Sequence, residues 1–119
     1  MIDSHAHLYL EEFDEDREAV IERARAAGIE TIINIGIDVE TSSQAIGMAR
    51  GEDGFFASAG IHPQSPVADP QAALAAIREL IETNPEETVA VGEIGLDYYW
   101  DTVPPEAQSA ILQPQLDLA

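Results

Sequence analysis

One unit recurs four times along this chain: a short apolar strand, a polar turn and an amphipathic helix. The strand candidates are Met1 to Ser4, Thr31 to Ile35, Phe55 to Ala59 and Thr88 to Val91, and their starts lie 30, 24 and 33 residues apart. That spacing is about the length of one βα unit. A strand that returns through a crossover helix runs in the same direction as the one before it, so the pattern calls for a parallel sheet. Two architectures satisfy it. A doubly wound sheet normally follows its first strand with a glycine-rich phosphate turn, whereas here the first strand runs into His5-Ala6-His7. A (β/α) barrel, with its active site at the C-terminal ends of the strands, fits better.

The helices carry their own start and stop signals. The first is expected from about Asp14, a capping residue, to Gly28, which tolerates the left-handed conformation at a helix end. The second follows Thr41, with Ala45, Ile46 and Ala49 on one side. The third opens at Asp69-Pro70 and ends at Asn84-Pro85. A fourth begins near Pro104-Pro105-Glu106. Pro114 is expected to kink or end it, because it removes the bond to the Ala110 carbonyl at a cost of about 3 kcal/mol. No linker or low-complexity segment interrupts the 119 residues, enough for one domain with a buried core.

Composition narrows the chemistry. With no cysteine there is no disulfide and no thiolate site, so any metal has to sit on histidine and carboxylate. The N-terminus lacks a basic region followed by an apolar stretch, and no apolar run approaches the roughly 18 residues a membrane span needs. A soluble, cytoplasmic chain with no membrane partner is expected. Five arginines, no lysine and 23 acidic residues give a net charge of −18, which repels phosphate and argues against a basic nucleic-acid patch. The acidic residues are scattered through the helices rather than gathered in a tail. That favours a hydrated, halophile-like surface over a dedicated acidic docking face.

Chemistry collects at the strand ends. His5 and His7 project to the same side of an extended chain, roughly 6.5 Å apart along it, close enough to share an ion. The second strand ends in Asn34 and Gly36, the third in Gly60-Ile61-His62-Pro63 and the fourth in Gly92-Glu93-Ile94-Gly95-Leu96-Asp97. All 3 histidines therefore fall at strand C-termini. In a barrel those ends converge on one mouth, so His5, His7 and Glu93 can meet around one ion. Two histidines and a carboxylate leave coordination positions open, as catalytic rather than structural sites do. Ordinary surface roles for these side chains are the competing reading. His62 is open among a third ligand, a hydrogen-bond donor to a bound anion and a plain turn residue. Asp97 either orients a ligand histidine from behind or is a solvated loop aspartate. Tyr98, Tyr99 and Trp100 either line a substrate mouth, stacking on a base, or pack against the next helix.

Four segments in order, Ile2-Asp3-Ser4-His5-Ala6-His7-Leu8, Phe13-Asp14-Glu15-Asp16-Arg17, Gly60-Ile61-His62-Pro63 and Gly92-Glu93-Ile94-Gly95-Leu96-Asp97-Tyr98-Tyr99, resemble the successive signatures of the TatD-type deoxyribonucleases. These form a branch of the metal-dependent amidohydrolase superfamily. The resemblance implies a TIM barrel with two divalent ions, magnesium, manganese or zinc, hydrolysing DNA phosphodiesters, with single-stranded DNA as substrate. Some relatives act instead as D-aminoacyl-tRNA deacylases. By the same resemblance His5 and His7 are ligands of one metal, Glu93 bridges or contacts two and takes part in catalysis, and His62 is a catalytic residue facing substrate. The family completes its site with two further histidines from the fifth and sixth strands and an aspartate from the eighth. A full (β/α)8 barrel takes about 250 residues, so residues 1–119 correspond to an N-terminal half that stops inside the fourth helix. Such a half exposes two sheet edges and the apolar faces of the missing half, so self-association or aggregation is expected. The alternatives to a DNase are a related hydrolase of esters or amides and a non-catalytic half barrel.

Overall fold

The computed structural model describes residues 1–119. Its elements run β1 (Ile2–Ala6), a short 3-10 turn (Glu11–Phe13), α1 (Arg17–Ala26), β2 (Thr31–Ile35), α2 (Val39–Gly51), β3 (Phe55–Ala59), α3 (Pro70–Thr83), β4 (Thr88–Val91) and α4 (Pro105–Leu116). The four strands form one sheet in the order β1-β2-β3-β4, every neighbouring pair parallel. Sequential order means that every crossover moves one strand in the same direction and leaves its helix on the same face. A doubly wound sheet would reverse direction part-way. No helix is long and apolar enough to cross a membrane.

The core lies between that face and the helices. Ile32 of β2 and Phe55 of β3 pack with Ile21 of α1 and Leu8. Ala57 and Ala59 of β3 pack with Ala45 and Ile46 of α2, Ile77 of α3 and Ile111 of α4. The small residues of β3 let α2 approach closely, and Ala45, Ala57, Ala59 and Ile77 are fully buried. By strand alternation the opposite face carries His5, Ile33, Ile35, Phe56 and Ser58.

β2, β3 and β4 have the boundaries expected from the sequence; four other features differ. β1 extends to Ala6, because Ala6 pairs with Asn34 of β2, so His5 lies inside the strand rather than beyond it. α1 starts at Arg17 instead of near Asp14. There the Arg17 guanidinium donates to the carbonyl oxygens of Leu8 (2.6 Å) and Leu10 (3.0 Å) and pairs with Asp14, which holds 11–16 in turns. α2 starts at Val39, not after Thr41. Asp38 is its cap, its Oδ1 accepting from the Thr41 N–H, while the Thr41 hydroxyl reaches back to the Asp38 backbone N–H as the other half of a capping box. Pro114 neither ends nor breaks α4, which continues to Leu116. Ile111 and Gln115 are buried on either side of it, whereas Ala110, whose carbonyl loses its partner, is exposed and meets water.

Candidate metal centre

A glycine follows each of three strands directly: Gly36 after β2, Gly60 after β3 and Gly92 after β4. At the first two of these points the chain comes closer to its neighbour than a side chain would allow. A Cβ on Gly36 would lie 2.6 Å from the Ser42 Cα, and one on Gly60 would lie 2.8 Å from the Gly92 carbonyl carbon. Hydrogen bonds then knit the strand ends together. The Ser58 hydroxyl donates to the Gly92 carbonyl (2.7 Å), the Gly92 N–H to Ala59 (3.0 Å) and the Glu93 N–H to the Gly36 carbonyl (2.8 Å). Glu93 is thereby anchored at the end of β2 although it leaves from β4. The His62 N–H donates to the Ile37 carbonyl (2.8 Å), and the preceding Ile61 has its N–H and carbonyl both bonded by the Gln115 amide of α4.

Four side chains expected from the sequence meet at this rim. His5 Nε2 lies 3.2 Å from His7 Nε2 and 3.5 Å from Glu93 Oε2, and His62 Nε2 lies 3.8 Å from Glu93 Oε1. One ligand atom from each of His5, His7 and Glu93 falls within 4.8 Å of the others. That spacing suits a cation. Two imidazole nitrogens each about 2.1 Å from an ion stand about 3.0 Å apart at a right angle and about 3.4 Å apart at the tetrahedral angle, bracketing the His5–His7 separation. A set of two nitrogens and one carboxylate oxygen matches the preferences of divalent zinc or manganese and leaves positions for water. The trio therefore fits a divalent ion.

All three rings turn Nε2 toward this point. His62 Nδ1 accepts the Gln64 N–H (3.1 Å), so the proton of the neutral ring sits on Nε2, facing Glu93. Among the three roles open to His62, this arrangement suits a hydrogen-bond donor. Asp97 behaves differently from the orienting residue considered for it. Its Oδ1 accepts the N–H groups of Tyr99 (2.9 Å) and Trp100 (3.4 Å), capping its own turn, and its hydrogen bonds go there rather than to a histidine ring. The aromatic segment after it is exposed, Tyr98 at 64%, Tyr99 at 84% and Trp100 at 61%, so packing against α4 is ruled out in this chain. Gln64 and Gln108 secure that loop through the Asp97 carbonyl. Asn34 is fully buried behind the site; its Oδ1 accepts the Leu8 N–H (2.9 Å), fastening the loop after β1, while its Nδ2 has no protein partner.

Tyr9 belongs to this region without having been marked by the motif, since phenol is no habitual metal ligand. Only its spacing, two residues beyond His7, hints at it. Its hydroxyl lies 2.9 Å from His7 Nδ1 and donates to the Ile35 carbonyl at 2.8 Å. Burial pushes the Tyr9 phenol above its ordinary range; the carboxylates of Asp38 and Glu93 push the same way, and a hydrogen bond to Thr41 opposes them. A proton held more tightly in the folded chain than in the unfolded one gives stability that is complete below about pH 10 and lost as the pH rises through the folded-state value. Urea midpoints measured at about pH 9 and pH 11 should fall further for the parent than for Tyr9→Phe. Equal falls would show that Tyr9 does not titrate in this way.

Residues 2–119 match the family described as TatD related DNase. The chain is 40% identical over 119 residues to an uncharacterized metal-dependent hydrolase, YabD, of Bacillus subtilis, covering 100% of this chain and 46% of that protein. It is 34% identical over 119 residues to a protein of Cronobacter turicensis named 3'-5' ssDNA/RNA exonuclease TatD, covering 100% and 44%. The crystal structure of YjjV, a TatD homologue from Escherichia coli, superposes with a TM-score of 0.90 at 34% identity, over 100% of this chain and 46% of that one. An amidohydrolase of Saccharomyces cerevisiae shares the fold, with a TM-score of 0.80 at 19% identity over 98% and 43%. The chain thus spans about half the length of the curated relatives it matches, and its four βα units make up half of a TIM barrel.

Proposed function

Since the chain belongs to the TatD-related DNase family, we propose that residues 1–119 are an N-terminal half-barrel domain carrying the metal-binding part of a hydrolase site for single-stranded DNA. The convergence of His5, His7 and Glu93 on one point carries this reading. The substrate class is supported by relatives named as ssDNA/RNA exonucleases. Divalent magnesium, manganese or zinc, two ions in a complete site, would supply an acidified water and a Lewis-acid contact to the phosphoryl oxygen.

The chain's own residues divide the remaining work. His5 and His7 offer Nε2 atoms as ligands. Glu93 faces His5 with one oxygen and His62 with the other, so it can hold charge between them and accept the proton of the attacking water. His62 donates its Nε2–H to the phosphate as negative charge develops, or to the departing oxygen. Tyr98, Tyr99 and Trp100, exposed five to seven residues beyond Glu93, offer faces on which unpaired bases stack. The cysteine-free, strongly acidic composition suits a cytoplasm of high salt, and with −18 on the chain, encounter with a polyanion should quicken as salt is added.

A second reading is favoured by the sheet edges: Ile2 of β1 is 64% exposed and Val89 of β4 is 50% exposed. On that reading the chain is a half barrel that pairs with a second copy without turnover. One experiment separates them. End-labelled single-stranded DNA, D-aminoacyl-tRNA and a small ester are each incubated with the chain and manganese, alongside Glu93→Gln. Progressive shortening of DNA that is lost in the variant is the expected result. Turnover confined to the ester or the aminoacyl-tRNA would reassign the substrate. Identical background in parent and variant, with a dimer by light scattering, would favour the half-barrel assembly.

A further inference from the structure

We propose that Tyr9 is a positioning residue that fixes the tautomer of His7 so that its Nε2 lone pair faces Glu93 and His5. This rests on the metal-site reading of His7 above. The phenol has one proton. The Ile35 carbonyl can only accept, so the 2.8 Å contact to it uses that proton. The 2.9 Å contact between the phenol oxygen and His7 Nδ1 is then a hydrogen bond only if His7 Nδ1 is the donor. With the proton on Nδ1, Nε2 of the neutral ring carries the lone pair, and Nε2 is the atom that lies 3.2 Å from His5 Nε2. Metal-bound histidines generally rely on such a partner for ring orientation and ligand basicity.

Packing makes the relay stiff. Tyr9 is 8% exposed and sits in the main core cluster with Ala45, Ile46 and Ala57, so its ring cannot swing away. The carbonyl it binds ends β2, so the backbone of one strand sets the ring of a histidine that follows another. His62 provides an internal contrast. Its Nδ1 accepts from the Gln64 N–H, which leaves the opposite nitrogen protonated. The same hydrogen-bond logic therefore presents a lone pair at His7 and an N–H at His62.

The test reads the tautomers directly by long-range 1H–15N NMR of the metal-free chain at about pH 9, where ordinary histidines are neutral. The parent should show His7 protonated on Nδ1 and His62 protonated on Nε2. In Tyr9→Phe, which keeps the ring in the core, the Nδ1–H population of His7 should fall while that of His62 stays unchanged. Manganese affinity by calorimetry should drop by about 10- to 100-fold in the variant. A parent His7 protonated on Nε2 overturns the proposal even if the variant fails to fold, as does a variant with an unaltered His7 tautomer. If the parent shows the expected tautomer yet binds no ion, the metal-site reading fails while the tautomer assignment stands.

Discussion

Glu93→Gln should weaken manganese or zinc binding by more than about 100-fold while leaving the fold intact. Losing an outer partner of a ligand typically costs 10- to 100-fold, and Glu93 is proposed here as a ligand itself. The amide keeps the shape of the side chain and removes its charge. Glu93 supplies the sole negative charge in the trio with His5 and His7, so the variant leaves two neutral imidazoles to face a dication. The control on this interpretation is the acidity of the whole molecule. Changing one charge of a net −18 alters the general attraction for cations very little, so a large loss has to be local. The 36% exposed Glu93 side chain packs little apolar surface, and thermal stability should barely change. Calorimetric titration of parent and variant checks both statements. Equal affinities would mean that the ions sit elsewhere on the acidic surface.

Gly60→Ala should damage stability and site together. The added Cβ would stand 2.8 Å from the Gly92 carbonyl carbon and 3.0 Å from its Cα and oxygen, all backbone atoms that no rotamer change can move. The ends of β3 and β4 would have to part. That strains the Ser58–Gly92 and Gly92–Ala59 hydrogen bonds, which fix the residue immediately before Glu93. Overpacking of this kind costs about 1–3 kcal/mol. For a domain near this size each kcal/mol lowers the melting temperature by roughly 4–8 °C. Metal affinity should fall with it, because Glu93 and His62 leave from the two strands being separated. Gly47→Ala is the matched control. A Cβ there meets nothing within 4 Å on the exposed side of α2, and alanine in a helix should stabilise by roughly 0.5–1 kcal/mol. Melting curves with manganese titrations of both variants distinguish a clash at the strand ends from a general dislike of alanine.

These effects also explain which parts of the molecule could be read from the chain alone. Apolar runs bounded by turn residues located β2, β3 and β4 to the residue, because there the local pattern and the tertiary structure agree. The limits of β1, α1 and α2 depended on distant or mutual partners: Ala6 on Asn34, Arg17 on the Leu8 carbonyl, and Asp38 and Thr41 on each other. Of the kink or stop expected at Pro114, the stop does not occur, because local propensity carries no information about the burial of Ile111 and Gln115 around it. At the site, His5, His7, His62 and Glu93 were legible because strand ends of a parallel sheet converge. Tyr9 and Gln115 were not, since they act through backbone carbonyls and N–H groups of other elements, which leave no signature in residue type. Asp97 kept its place in the motif but spends its carboxylate on its own turn.

The most direct measurement of where this chain holds a divalent ion is paramagnetic broadening by substoichiometric manganese in 1H–15N spectra. The expected result is early, selective loss of signals around His5, His7, His62 and Glu93, with the acidic stretch from the turn before α1 into its first turns, Asp14 to Glu22, broadened only at higher concentrations. Broadening that begins on those acidic residues and reaches the histidines last would contradict the metal centre on which the functional reading stands.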